Sequence, residues 1–495
     1  MPLPTAIYST AQVRELDDHA IQYLQIPGYT LMKRAGEAAL RILRTRWPMA
    51  RTIVVVCGGG NNGGDGYLLG RYALVAGLKV VLLSAVEPAR LRGDAQRAHE
   101  DFIAAGGVVE IFAAPRLAAG EVIVDALLGT GLQGPVRSEA AGIISAINIA
   151  GKPVLSLDIP SGLSSDTGLP LAVAVRADCT ITFVGLKTGL YLGDGPEYVG
   201  SILFDDLEVT PPASPSFAPR LTRIVESEVS RALPRRLRGV HKGNFGRVLI
   251  VGSGSGMPGA TRLAGEAALR VGAGLVTVAA AVENVAAIST GRPELIVYGL
   301  RDGAGDDLRD LIARADVIAI GPGLGRSAWA QRALDLVLAT DKPLIVDADA
   351  LNLIAQQRRP ARDNWILTPH PGEAARLLDT STIAVQSDRL GALDQLVGRY
   401  RGVVVLKGAG TLVGTLQKPS AFCERGNPGM ATPGMGDVLT GAIAGIVAQI
   451  GDPWVAARVG VIVHAMAGDS AARAGERGLI AGDVAQELRS WVNFQ

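Results

Sequence analysis

Cysteine is scarce in this chain. There are three in 495 residues, Cys57, Cys179 and Cys423, far apart and without CxxC or His-paired spacing. An odd, scattered set argues against a disulfide framework or a zinc site and fits a reducing, cytoplasmic setting. Aromatic residues are 4% of the chain, too few to favour a base-stacking surface. Neither sign of charge dominates, since 48 Lys+Arg face 47 Asp+Glu for a formal net charge of +1. The global electrostatic case for binding nucleic acid or an anionic membrane is therefore absent. Mean hydropathy is positive, yet no 18-residue apolar run occurs, so no membrane span is expected. The start, MPLPTAIYST, leads into Arg14, Glu15, Asp17 and Asp18 without the basic-then-apolar order of a secretory signal.

What is present is apolar and glycine-rich. Hydrophobic residues make up 48% and charged residues 19%, which excludes a disordered chain. Glycine occurs 62 times without collagen-like period, so many turns bring bare backbone close to something else. At roughly 100–200 residues per domain, two or three domains are expected. Short Val/Ile/Leu runs alternate with helical patterns throughout. In the first half the strands read as Thr52–Cys57, Val80–Ser84, Val108–Phe112, Val122–Leu127, Pro153–Leu157 and Cys179–Val184. In the second they read as Arg247–Gly252, Leu275–Ala281, Val317–Gly321, Leu344–Val346, Trp365–Thr368 and Val403–Leu406. Continuous rather than alternating apolar runs mean strands covered on both faces. The fold class is α/β with doubly wound parallel sheets. The Pro- and Ser-rich stretch Pro211–Pro219 reads as a linker, giving two domains, 1–212 and 220–495.

The first strand runs into Gly58-Gly59-Gly60-Asn61-Asn62-Gly63-Gly64-Asp65. Gly58, Gly60 and Gly63 satisfy GxGxxG, a turn that brings backbone N–H groups and a helix start to a phosphate. No Gly-Lys-Ser/Thr follows, so it is not a Walker loop. A dinucleotide site also wants an acid about 20 residues on, where Ser84 stands and Glu87 comes late, so the fingerprint is imperfect. Asp125 and Asp158 end later strands, and Ser161 follows closely. A lone Asp there usually caps a helix. Several beside Gly turns on one sheet edge suggest a site, and Asn, Asp and Ser oxygens without His or Cys suit a hard cation.

The motifs GGGNNGGDG, VDALLGTGLQGP, LDIPSGL and TFVGLKTGL together resemble the NAD(P)H-hydrate epimerase family, the YjeF N-terminal type. The resemblance covers most of residues 1–212. It implies a Rossmann-like domain that interconverts the R and S forms of hydrated NADH and NADPH, with K+ at Asn62, Asp125 and Ser161. It places the hydrate at Asn61, Asn62, Gly63, Gly64, Asp65, Gly129, Thr130, Gly131, Leu132, Gln133, Gly134, Pro135 and Asp158. Lys187 fits the pattern as well. Epimerisation needs a proton relay and stabilisation of a ring-opened or cationic intermediate, for which Asp65 and Asp158 are the candidates.

In the second half, Asn427-Pro428-Gly429-Met430-Ala431-Thr432-Pro433-Gly434-Met435-Gly436-Asp437 leads into a long apolar helix. Free N–H groups at such a start make an anion site. An acid there either caps the helix or takes a proton from a hydroxyl attacking phosphorus. The turns at Gly321–Gly325, Asp347–Asn352, Thr368–Glu373 and Lys407–Thr411 follow other strands. With HKGNFG at 241–246 and GMPGA at 256–260, these motifs resemble the ADP/ATP-dependent NAD(P)H-hydrate dehydratase family, of ribokinase-like fold. The resemblance implies nucleotide contacts at Lys407, Gly408, Ala409, Gly410, Thr411 and Gly436, with Mg2+ accompanying ADP. It implies hydrate contacts at Ala260, Gly323, His370 and Asp437, Asp437 being catalytic. The family pattern ATGGMGD is broken here by Pro433, which removes one N–H.

The leading expectation is a bifunctional repair enzyme for NADHX and NADPHX, using ADP or ATP and binding neither nucleic acid nor membrane. A homo-oligomer is expected. The alternative is a ribokinase-type small-molecule kinase with a ligand-binding N-terminal domain.

Overall fold

A computed structural model describes residues 3–132, 134–212, 214, 217–301, 305–357 and 359–493. The chain divides into two compact units, Met1–Leu221 and Thr222–Gln495. Of the Pro-rich stretch read as a linker, residues 213, 215 and 216 lie outside the described residues.

The first unit runs β1 (Ala6–Tyr8), α1 (Thr10–Gln22), α2 (Gly28–Arg46), β2 (Thr52–Cys57), α3 (Asn61–Val75), β3 (Lys79–Ser84), α4 (Gly93–Ala104), β4 (Val109–Ile111), β5 (Val122–Ala126), α5 (Ser138–Ile149), β6 (Val154–Leu157), β7 (Cys179–Phe183), β8 (Leu186–Lys187), α6 (Pro196–Val199) and β9 (Ser201–Asp205). Its sheet has the order β4-β3-β2-β5-β6-β7-β9 and is parallel throughout. The continuous run of β2 feeds two cores. Ile53, Val55 and Cys57 enter one cluster, and Val54 and Val56 enter the other. That is the period-two alternation of a strand covered on both faces. Chain order reverses between β2 and β5, which opens a crevice at their carboxyl ends. β8 pairs with β1, bringing Lys187 beside Tyr8.

The second unit runs β10 (Leu221–Arg223), α7 (Ser227–Ala232), β11 (Arg247–Val251), α8 (Pro258–Arg270), β12 (Leu275–Ala281), α9 (Val285–Gly291), β13 (Ile296–Leu300), α10 (Gly305–Arg314), β14 (Val317–Ile320), α11 (Ala328–Leu338), β15 (Leu344–Val346), α12 (Ala348–Gln357), β16 (Trp365–Leu367), α13 (Pro371–Leu378), α14 (Thr382–Ser387), α15 (Arg389–Tyr400), β17 (Val403–Leu406), β18 (Thr411–Thr415), β19 (Lys418–Cys423), α16 (Met435–Ile450), α17 (Pro453–Ala471) and α18 (Ala481–Trp491). Strands β13-β12-β11-β14-β15-β16-β17 are parallel neighbours. An antiparallel β18–β19 hairpin extends the sheet. Here the reversal falls between β11 and β14.

Long apolar runs are strands as expected, to within a residue or so at each end. Strands β1, β8, β9, β10, β13, β18 and β19 are additional. Most are short or lie at an edge, and the Leu416-Gln417 connection of the hairpin lacks Asn-Gly chemistry. The helix after the first glycine loop begins at Asn61, so Asn61 to Gly66 of the GGGNNGGDG motif are already helical.

Helix α16 reaches the sheet edge because glycines let it lie against α8. A Cβ at Gly441 would overlap the Ala264 carbonyl, and one at Gly445 would come within 2.7 Å of the Ala268 carbonyl. Gly441→Ala forces α8 and α16 apart. It is expected to lower the unfolding free energy of this unit by about 1–3 kcal/mol, read by chemical denaturation.

Candidate active sites at two sheet edges

In the first unit, the extended Gly60 precedes α3 with no side chain capping the helix. Gly58 is required, since a Cβ there would overlap the Leu127 carbonyl. The β2–α3 turn is thus pressed onto the end of β5 at the switch point. A cavity of about 770 Å³ opens there, lined by Asn61, Asn62, Asp65, Gly129, Thr130, Gly131, Leu132, Pro135, Asp158 and Lys187. Gly63 and Gly64 are buried behind it. Their hypothetical Cβ atoms meet the Gly58 carbonyl and, at 2.6 Å, the Met32 sulfur, so they serve packing. Gly134 is absent from the lining and takes a positive φ of 74°. Gln133 lies outside the described residues.

Asp125 is fully buried. Its carboxylate accepts from the Ser161 hydroxyl at 2.5 Å, the Ser161 N–H at 2.9 Å, the Ser156 hydroxyl at 2.8 Å and the Leu127 N–H at 3.3 Å. Burial nevertheless pushes its pKa up. Ser161 Oγ also accepts from the Leu128 N–H at 2.8 Å. Asn62 is the exception to this satisfied network. Its side chain is 8% exposed, and neither amide atom has a partner. It packs beside Gly129, where a Cβ would approach the Asn62 Cβ to 3.1 Å. A buried amide without a partner marks a place for a ligand.

The cavity wall also carries a charge cluster. Lys187, almost fully buried, ion-pairs with Asp158 and donates to Thr182 Oγ1 at 2.8 Å and the Phe183 carbonyl at 2.9 Å. Asp158 sits at a positive φ of 68°. Burial, then neighbouring Asp158 and Asp17, raises the Asp65 pKa well above the carboxylate range. Asp17 on α1 is pushed up to about 6, chiefly by burial. Asp17 was not among the expected site residues. The available signal was its place on a stripe with Val13 and Ile21, four residues to either side, all three on the cavity wall.

In the second unit, α16 starts after Gly434, whose φ is 89°, and no side chain caps it. Pro433 precedes that cap, so its missing N–H is not one of the helix's own first donors. Around this start stand four charged groups from four elements. Lys407 Nζ donates to Asp347 Oδ1 at 2.7 Å and lies 3.8 Å from Glu373 Oε2. Asp347 Oδ2 accepts from Thr440 Oγ1 at 2.8 Å. A Cβ on Gly436 would lie 3.2 Å from Lys407 Nζ. Burial and the carboxylates of Asp347 and Glu373 push Asp437 up to about 7, against the opposing pull of Lys407. Burial also raises Glu373. For Lys407 burial lowers the pKa, but the surrounding acids outweigh it and the net shift is upward. Lys407, which the resemblance places at the nucleotide, has its ammonium ion-paired to Asp347. Asp347 and Glu373 stood in quoted motifs without an assigned role, because their convergence on Lys407 spans three separate strand ends.

His370 caps α13. Its Nδ1 accepts from the Gly372 N–H at 3.0 Å, and Glu373 reciprocates by accepting from the His370 N–H at 2.8 Å. Burial and Lys407 lower its pKa, so the ring is neutral near pH 7 with Nε2–H facing Glu373 Oε1 at 3.3 Å. Ala260 in the first turn of α8 and Gly323 after β14 are brought together, a Cβ on Gly323 lying 3.1 Å from that of Ala260. Gly408 and Ala409 are exposed at the end of β17.

Two doubly wound units, each with acids gathered beyond the carboxyl ends of its parallel strands, define a two-site enzyme of small-molecule metabolism. A family profile described as NAD(P)H-hydrate dehydratase matches residues 248–489, and one described as YjeF-related protein N-terminus matches residues 28–189. The chain is 48% identical to the bifunctional NAD(P)H-hydrate repair enzyme of Coxiella burnetii, covering 99% of this chain and 100% of that one. It is 42% identical to the Escherichia coli K12 enzyme of the same description, covering 99% and 95%. The chain belongs to the family of bifunctional NAD(P)H-hydrate repair enzymes. Among solved structures it is similar to the ADP/ATP-dependent NAD(P)H-hydrate dehydratase of Bacillus subtilis co-crystallised with ATP/Mg2+, at 30% identity and TM-score 0.50 over 54% of this chain and 96% of that one. A ribokinase-like superfamily protein from Enterococcus faecalis gives TM-score 0.52 at 30% identity, over 55% and 95%.

A carboxyl held protonated by the folded state stabilises it below the unfolded-state pKa, and loses that contribution as pH rises through the folded-state value. Asp437→Asn removes this penalty. The variant is expected to be more stable than the parent, by a margin wider at pH 8 than at pH 5, in thermal unfolding followed across pH.

Proposed function

We propose that the first unit epimerises R- and S-NAD(P)HX and the second dehydrates S-NAD(P)HX to NAD(P)H at the expense of ADP or ATP. The observation that carries the second activity is Asp437, with its raised pKa, at the uncapped start of α16. Hydroxide leaves the hydrated nicotinamide ring poorly. In the proposed step Asp437 removes the ring hydroxyl proton, and the hydroxyl oxygen bonds to the terminal phosphoryl group of ADP as AMP departs. The ring nitrogen lone pair then expels phosphate to leave a ring iminium ion, which loses a proton from the adjacent ring carbon to solvent or the departing phosphate, giving NADH or NADPH. The free N–H groups of α16 face the charge that develops on the phosphoryl oxygens. Ala260, Gly323 and His370 bound the hydrate, and Lys407–Thr411 with Gly436 hold the nucleotide. Mg2+ supplies charge neutralisation on the nucleotide's phosphates.

In the first unit, the buried, partnerless Asn62 amide on the cavity wall supports K+, a hard cation that would fix the substrate's polar groups, with Asp125 and Ser161 as the other ligands the resemblance implies. Asp158 is tied to Lys187, whereas burial and the neighbouring Asp158 and Asp17 carboxylates raise the Asp65 pKa and favour its protonated form. Asp65 is therefore the acid that releases and re-adds the ring hydroxyl, with Asp17 beside it in the same cluster. Asp158 balances the cationic intermediate. The reading extends to a cytoplasmic homo-oligomer, with which the three buried free cysteines agree. Among the described residues no helix is long and apolar enough to cross a membrane.

One chain allows each site to serve as the other's control. Asp437→Asn is expected to lose at least about 10³-fold in dehydration, with epimerisation retained. Asp65→Asn should do the reverse. Both are read by following the two epimers with ADP, ATP and Mg2+ present. Dehydration at full rate in Asp437→Asn contradicts the proposal. For the parent, kcat/KM for the hydrate is expected to fall below about pH 7, as Asp437 takes up its proton. Replacing K+ by choline should suppress epimerisation and spare dehydration.

A further inference from the structure

Arg389 opens α15 and is buried, 7% exposed. It makes no ion pair to a carboxylate among the described residues. Instead its guanidinium donates to three carbonyls of the turn after β17: to that of Ala409 through Nη1, and to those of Leu406 and Lys407 through Nη2, each of the latter two at 3.3 Å. Its buried Nε has no partner. The neighbouring acid, Asp388, spends its carboxylate on the Gly391 N–H at 2.8 Å. A buried cation without a counter-charge is costly, and the first turn of a helix, the positive end of its dipole, adds to that cost. Burial accordingly lowers its pKa to about 10. Such an arrangement is stabilised when an anion arrives nearby.

The loop geometry shows where the anion would sit. In a trans peptide the N–H of one residue points opposite to the carbonyl before it. No cis peptide occurs among the described residues. With the Lys407 and Ala409 carbonyls drawn onto Arg389, the N–H groups of Gly408 and Gly410 point away from it. Gly408 has φ 142° and Gly410 φ 66°, and a Cβ on Gly408 would stand 3.0 Å from the guanidinium. Two successive outward donors backed by a buried positive charge form an anion-binding concavity.

We propose that Arg389 is a positioning residue for the nucleotide: it holds the 406–409 backbone so that two glycine N–H groups face the phosphates, and it supplies the charge behind them. This rests on reading Lys407–Thr411 as the nucleotide loop. The test uses the full chain with Arg389→Gln and Arg389→Lys. ADP with Mg2+ is titrated calorimetrically, and KM is measured separately for nucleotide and hydrate. Arg389→Gln is expected to weaken nucleotide binding and raise its KM by at least about tenfold, the scale of a charge-assisted contact. Hydrate KM and epimerisation should stay within about twofold. Arg389→Lys, which keeps the charge without the planar fork, should fall between. Arg389→Gln binding ADP as the parent does overturns the role of Arg389 alone. A parent that binds neither ADP nor ATP overturns the nucleotide reading together with it. Equal loss of nucleotide and hydrate affinity in both variants signifies general loosening of the fold and also contradicts the proposal.

Discussion

The second unit turns on one buried ammonium. Lys407 lies among Asp347, Glu373 and Asp437, three carboxyls that could not all ionise in so small a volume without it. Its ion pair to Asp347 fixes the carboxyl that Thr440 of α16 also holds, so the same contact ties β15, β17 and the helix start together. Asp437 is then left next to a committed ion pair, with its proton held more tightly than solvent would allow. That tension raises its pKa to about 7, well above the usual carboxylate range.

The first unit solves a related problem differently. There Lys187 is matched by Asp158, and burial, with repulsion from neighbouring acids, raises the pKa of the surplus carboxyls Asp65 and Asp17. Beside them, the Asp125–Ser156–Ser161 network is satisfied within itself, and Asn62 alone remains open. The carboxyls of raised pKa and the open amide thus line the same cavity. The two units share a design rule: strand order reverses, backbone glycines replace side chains at the crevice, and acids gather where they are poorly solvated.

Much of this was legible in the sequence for physical reasons. A strand buried on both faces has to read as an uninterrupted apolar run, as Thr52–Cys57 and Arg247–Val251 do. Glycine next to Asn or Asp at a strand end is costly unless backbone or ligand comes close, so the turns after β2 and before α16 stood out. Edge elements were not legible, since β13 leaves Ile296 and Tyr298 exposed and lacks the buried signature. Nor was the partnership of charges. Asp17, Asp347, Glu373 and Arg389 each have ordinary sequence neighbours, and only the fold reveals that the first three sit among other acids and the last among carbonyls. The glycines of GGGNNGGDG were read alike, yet Gly63 and Gly64 serve helix packing while Asn61, Asn62 and Asp65 of the same motif face the cavity.

The central claim is that the ring hydroxyl attacks phosphorus at the start of α16 and leaves as part of phosphate. Its most direct test follows the oxygen. S-hydrate labelled with ¹⁸O in the ring hydroxyl is converted by the full chain with ADP or ATP and Mg2+, and inorganic phosphate is examined by mass spectrometry or phosphorus NMR. The account predicts that the label appears in phosphate, one atom per NAD(P)H formed. Label released into water, with unlabelled phosphate, would contradict it.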